Sequence, residues 1–150
     1  MQKELKHIDR VNNQQIAFCR KLGIDVSGDT ISLATAKIYD IIRREFFGEK
    51  LGSPSEKQIE LAKKFGYDIS HCTQREGNAI IDDLMSELNY ESIEEQKLKP
   101  GVEVINRWDD LKRIYIISSI REDGIVFFKG GNGKKAWARN LERIESGHGA

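Results

Sequence analysis

Residues 15–42, QIAFCRKLGIDVSGDTISLATAKIYDII, lie without a gap over residues 58–85, QIELAKKFGYDISHCTQREGNAIIDDLM, at an offset of 43. Ten of the 28 positions are identical: Gln15/Gln58, Ile16/Ile59, Lys21/Lys64, Gly23/Gly66, Asp25/Asp68, Ser27/Ser70, Thr30/Thr73, Ala36/Ala79, Ile38/Ile81 and Asp40/Asp83. Phe18/Leu61, Arg20/Lys63, Leu22/Phe65 and Val26/Ile69 keep their character. A match of this density marks an internal repeat. Units this short cannot bury a core alone, so the two copies are expected to stack on each other.

Each copy reads as helix, loop, helix. In the second, Ser53-Pro54-Ser55-Glu56 puts a capping serine, a first-turn proline and a reciprocal glutamate at a helix start. Ile59, Leu61, Ala62 and Phe65 then recur at helical spacing. Gly66, like Gly23, falls where a left-handed residue ends a helix. Thr73 and Glu76 form a capping box that opens a helix with Ile80, Ile81, Leu84 and Leu88 on its apolar face. In the first copy Thr30 is the cap, and the helix is expected to run through Phe46 and Phe47 to Gly48. Ser92-Ile93-Glu94-Glu95 reads as a third capping box, starting a short helix that ends before Pro100. Leu22 and Phe65 are expected to be buried, as are Ile38 and Ile81, whereas Asp40, Asp82 and Asp83 read as solvated carboxylates.

Residues 12–47 and 54–88 resemble SAP-like and helix–extended-loop–helix modules, of the kind attached to DNA-processing proteins of bacteria and phages. That resemblance implies a DNA-directed accessory role, although modules of the same shape also bind proteins.

From Pro100 the periodicity changes to alternation. Val102–Ile105, Arg113–Ile120, Gly124–Lys129 and Lys134–Ala138 read as strands, with turns at Glu122-Asp123-Gly124 and Gly130–Gly133. The segment 138–144 closes the module through a short helical turn. The Pro-Gly-Val start, glycine turns and Trp-x-x-x-Leu-x-x-Ile finish resemble an SH3-like barrel of the Tudor or KOW sort; another small β-fold fits the pattern as well. The expected fold class is therefore α+β: two stacked helix–loop–helix repeats plus a small C-terminal antiparallel β-barrel. Its divisions are 1–52, 53–98, 99–145 and a disordered tail at 146–150.

A chain of 150 residues, 39% hydrophobic and 32% charged, is ordinary for a globular protein. Its apolar runs are far shorter than a membrane span, and MQKELKHIDR lacks the apolar core of a signal peptide, so the expected compartment is the cytoplasm. Cys19 and Cys72 have no disulfide-framework spacing. The net charge of zero divides unevenly. Residues 1–98 carry 14 Lys and Arg against 17 Asp and Glu, and residues 99–150 carry 10 against 7.

That basic excess places the candidate site in the C-terminal module. Arg107, Trp108, Lys112, Arg113, Lys129, Lys134, Lys135, Trp137 and Arg139 set cations beside flat rings, the pairing that holds phosphates and stacks bases. Trp137 and Phe127 are alternatively core residues. Lys63 and Lys64 repeat Arg20 and Lys21; they could follow a phosphate backbone or simply complement the end of a helix. Gly130–Lys135 lacks the spacing, the following Ser or Thr and the helix of a phosphate loop, so it reads as a hairpin turn. His7, His71 and His148 have no ligand spacing, and no catalytic set emerges. Neither a metal nor a cofactor is expected. The expectation is a non-enzymatic nucleic-acid-binding accessory protein of a phage or mobile element, with DNA or RNA as partner. A protein–protein inhibitor or adaptor acting on a bacterial defence nuclease, as anti-CRISPR proteins do, is the alternative.

Overall fold

A computed structural model describes residues 1–145 as four helices followed by a five-stranded antiparallel sheet, an α+β arrangement. The 146–150 tail, with His148, lies outside the described residues. The chain divides into two compact units, the first Met1–Leu84 and the second beginning at Met85.

In the first unit the repeat is visible atom by atom. Helices α1 (Asn13–Lys21) and α3 (Glu56–Lys64) are both nine residues long and begin 43 positions apart. Asn12 and Ser55 each accept from the third residue of their helix, and Gln15 and Gln58 return the bond to the cap. The second cap is therefore Ser55, not Ser53, and its capping-box partner is Gln58. Pro54 is buried just ahead of it.

Gly23 and Gly66 both have φ of 83°, and their amides donate to Arg20 O and Lys63 O, both at 3.0 Å. In the loops, Asp25 accepts from Ser27 and Asp68 from Ser70, each through the serine amide at 2.9 Å and its hydroxyl at 2.6 Å. Those bonds hold both carboxylates below the usual range. The match extends upstream of the aligned sequence: Ile31 N donates to Asp9 O as Gln74 N donates to Gly52 O.

The second helices are α2 (Ile31–Phe47), which ends at left-handed Gly48, and α4 (Gln74–Gln96). Thr73 and Glu76 form the expected capping box. Between copies the bonding is reciprocal. Thr30 Oγ1 donates to Asp83 Oδ2 at 2.5 Å, and Thr73 Oγ1 donates to Asp40 Oδ2 at 2.5 Å. Asp40 and Asp83 are therefore buried hydrogen-bond acceptors, not solvated carboxylates. Only Asp82 of the three acids is exposed.

The matched buried positions include Cys19/Ala62, Val26/Ile69, Ala34/Gly77 and Ala36/Ala79. Leu22 is 43% exposed, and Phe65, Ile38 and Ile81 are half-buried. Leu22 and Phe65 are C-caps, one residue past the ends of their helices, so the expectation that they complete the buried face is corrected. Accordingly, Ile69→Ala should cost about 2–5 kcal/mol in urea unfolding, and Phe65→Ala no more than about 2 kcal/mol. Equal losses would show that the core is misplaced.

In the second unit Ser92 starts no helix, because α4 runs through it without a break. Ser92 Oγ donates to Ala138 O at 2.9 Å. Gln96 donates to Leu141 O and accepts from Arg143 N, bracketing the final strand. The strands are β1 (Glu103–Asn106), β2 (Ile114–Ile120), β3 (Ile125–Phe128), β4 (Lys135–Trp137) and β5 (Leu141–Arg143). Their order is β4-β3-β2-β1-β5, with a 3-10 turn at Ala138–Asn140 carrying the chain from one edge to the other. The ladders leave β4 and β5 as edges, so the sheet is not closed by strand pairing. Inward alternation places Val104, Ile117, Val126, Phe128 and Leu141 in its core with Leu98, Val102 and Ala138.

Candidate functional site

The loop that joins β1 to β2 is built by side chain–backbone bonds. Asn106 Oδ1 accepts from Trp108 N at 2.9 Å. Asp109 accepts from the amides of Leu111 and Arg113 and from Arg113 Nε at 3.0 Å. These bonds hold the Asp109 carboxyl down at about 2. Left-handed Lys112 completes the turn, and its Nζ donates to Arg107 O.

Trp108 is fixed without being covered. Its Nε1 donates to Asn140 Oδ1 at 3.0 Å, yet the residue remains 78% exposed. An indole satisfied at its one polar atom and left open on its faces offers a flat apolar platform.

That platform lies at a groove of about 630 Å³ between the Trp108 loop and the β3–β4 hairpin. Trp108, Leu111, Tyr115 and Phe128 supply its apolar lining. The Tyr115 and Phe128 rings stack at 4.7 Å, and Lys134 Nζ lies 5.7 Å from the Tyr115 centroid. Arg113, Lys134 and Lys135 set three cations against Asp109 and Asp110. Arg113 is engaged by Asp109, so the two lysines carry the remaining positive charge of the groove.

Four of the expected residues thus come together: Trp108, Arg113, Lys134 and Lys135. Others do not line this groove. Arg107 is exposed, and its amide ties the loop to Asn140 O. Lys129 is exposed beyond the end of β3. Trp137 sits at 36% exposure with the Arg139 guanidinium 5.0 Å from its ring. Arg139 is anchored through its amide to Asn89 Oδ1 at 3.0 Å. Phe127 is half-buried, with Arg121 6.0 Å from its ring. The core-filling reading of Trp137 and Phe127 is therefore corrected: Val126 and Phe128 take that place, because side chains alternate along β3, which puts Phe127 on the opposite face, and Ala136 rather than Trp137 pairs with Val126.

Lys63 and Lys64 belong to the first unit, in the last turn of α3, as Arg20 and Lys21 are in the last turn of α1. Tyr115, Phe128 and the pinning Asn140 were missed as site residues. An aromatic at a strand position beside exposed neighbours was the available signal for Tyr115, but its partner across the sheet is set only by register.

Among the described residues, no group of three His, Cys, Asp or Glu side chains is placed to hold a metal, and no helix is long and apolar enough to cross a membrane. Cys19 and Cys72 form no disulfide, and burial pushes the Cys72 thiol up, away from nucleophilic thiolate. No family model, curated protein or solved structure matches the chain.

Proposed function

We propose that this protein is a non-enzymatic nucleic-acid-binding accessory protein whose C-terminal module holds a single strand. One base stacks on Trp108, and the flanking phosphates are held by Lys134 and Lys135. The observation that carries this reading is Trp108 itself, pinned through Nε1 and open on its faces beside two lysines. A ring already oriented loses little conformational freedom when a base stacks on it, and every base has a π-face. Duplex bases are covered by their neighbours, so single strands fit this platform better. The strand order and the 3-10 turn before a last strand that pairs with the first support the SH3-like reading of the module. The repeated helix–loop–helix geometry supports the SAP-like reading of the first unit.

The test is titration of the intact protein with labelled single- and double-stranded DNA and RNA at about 50 and about 200 mM salt. Trp108→Ala should cost about 1–3 kcal/mol, mainly on single strands. Lys134→Ala with Lys135→Ala should weaken all sequences alike and flatten the log–log salt slope by about 0.7 per lost contact on single strands. Absence of affinity at about 50 mM salt would end this reading in favour of a protein-directed inhibitor or adaptor of a defence nuclease. One observation favours that second reading: the apolar side chains that the first unit leaves in solvent.

A further inference from the structure

The two repeat copies differ on one face, and the difference is chemical. In copy two, side chains bridge α3 and α4 on this face. Pro54 lies so close to Gly77 that an added Cβ would meet Pro54 Cγ at 2.9 Å, and Gln58 Nε2 donates to Asn78 Oδ1 at 2.5 Å. The matched groove of copy one, between α1 and α2, is an open pocket of about 210 Å³ whose apolar lining is Val11, Phe18, Cys19, Ile31, Ala34 and Ile38, with Gln14, Gln15 and Thr35 beside them. Copy two carries Gln74 and Asn78 where copy one has Ile31 and Thr35. The repeat fold therefore does not require this face to be apolar.

The pocket continues into a stripe along α2. Ile31, Thr35, Ile38, Ile42 and Phe46 follow one another at spacings of four, three, four and four, and Tyr39 borders them. Phe46 is 79% exposed, Phe18 56%, Tyr39 53%, and Ile31 and Ile42 about two-fifths. If fully covered, these side chains would contribute on the order of 600 Å², the low end of what each partner of a specific interface buries.

We infer that this face is a homodimer interface in which α2 packs antiparallel on α2 of a second copy. The stripe is self-complementary in that arrangement. With the two-fold axis between Ile38 and Tyr39, Phe46 of one copy falls opposite Ile31 of the other, at the mouth of the apolar pocket. Ile42 falls opposite Thr35. An isologous contact of this kind satisfies both pockets with both phenylalanines at once.

Electrostatics do not oppose it. Arg43, which borders the stripe, is paired with Glu49 at 2.6 Å, so this cation is neutralised within its own copy. The chain carries no net charge to drive copies apart.

Sedimentation equilibrium of the intact protein from about 1 to about 300 µM tests the inference. The expected result is association to twice the 17.1 kDa monomer mass. Phe46→Glu and Ile31→Glu should each weaken it by at least ~30-fold, because each buries a charge in an apolar contact. Both positions are solvent-exposed, so the variants should keep the helical circular dichroism of the parent. If either loses it, Phe46→Ser and Ile31→Ser take their place and should still weaken association. The double variant Phe46→Glu with Ile31→Lys should regain part of the association through two ion pairs across the axis. Trp108→Glu, in the second unit, should leave the mass unchanged. A monomer at every concentration would overturn the inference and leave the face to a different protein. A dimer insensitive to both single substitutions, or sensitive to Trp108→Glu, would place the contact elsewhere. A double variant no better than the single ones would overturn the antiparallel register.

Discussion

Gly124→Ala is expected to lose about 3–5 kcal/mol of stability, a sum of three costs in one small substitution. Gly124 has φ of 93°, in the left-handed region where a side chain is strained by about 1–3 kcal/mol. An added Cβ would stand 2.7 Å from Asn89 Cβ and 2.9 Å from Asn89 Cγ, closer than packed carbons come. Asn89 has little room to retreat. It is buried, and its Oδ1 accepts from Arg139 N at 3.0 Å, which ties α4 to the 3-10 turn before β5. Gly133→Ala is the control: φ there is 84°, but nothing lies within 4 Å of the added carbon. It should cost only the backbone strain of about 1–3 kcal/mol. Urea unfolding of both variants separates conformation from contact. Equal losses would mean that the approach of Asn89 contributes nothing.

The second large effect lies in the reciprocal bonds between the repeat copies. Asp40→Ala removes the acceptor of both Thr73 Oγ1 and Arg75 Nη1, the latter at 2.7 Å. It should cost about 2–4 kcal/mol, since it strands a guanidinium and a hydroxyl at a partly buried site. Asp83 occupies the matched position, but Ser32 stands where copy two has Arg75. Burial raises the Asp83 carboxyl above its ordinary value, although bonds from Thr30 and Ser32 and the charge of Arg10 pull it back in part. A raised carboxyl in the folded state means that stability falls as pH rises, because the unfolded chain ionises first. Asp83→Asn keeps an acceptor for Thr30 and removes that penalty. The parent should therefore lose stability relative to Asp83→Asn between about pH 3 and about pH 6, while both fall together in all other respects. Ser32→Arg should act in the same direction by setting a cation against Asp83 as Arg75 stands against Asp40. A parent that gains stability over Asp83→Asn across that range would refute the account.

These bonds also show what the repeat in the sequence meant. Thr30/Thr73 and Asp40/Asp83 stood among the ten identities, and the spacing within each copy marked Thr as a cap and Asp as a helix-surface residue. Capping is a local property and was read correctly. The Thr–Asp bond joins residues 53 and 33 positions apart, and nothing in either helix alone points to it. Burial of the carboxylates was missed for that reason. Leu22 and Phe65 failed in the opposite sense: apolar character at the end of a helix predicted burial, but each is only the C-cap, and Val26 and Ile69 in the following loops fill the core instead.

In the C-terminal module the strands and turns were legible, because alternation, Asp-Gly and glycine runs are statements about backbone conformation. The groove was legible in part. Cations and rings could be named from composition, but which of them converge depends on strand register and on how two loops approach. Trp108, Lys134 and Lys135 come together there, whereas Trp137 and Arg139 pair with each other.

By itself the sequence determined the repeat, its caps and glycine turns, and the change from helix to strand at Pro100, all of which follow from steric and hydrogen-bonding preferences within a few residues. Only the tertiary structure decided that Asp40 and Asp83 are buried, that Ser92 lies inside a continuous helix, and that Trp108 is pinned but uncovered. Those outcomes rest on contacts between residues far apart in the chain. Such contacts set which polar groups are desolvated and which apolar ones stay exposed, and no local pattern encodes them.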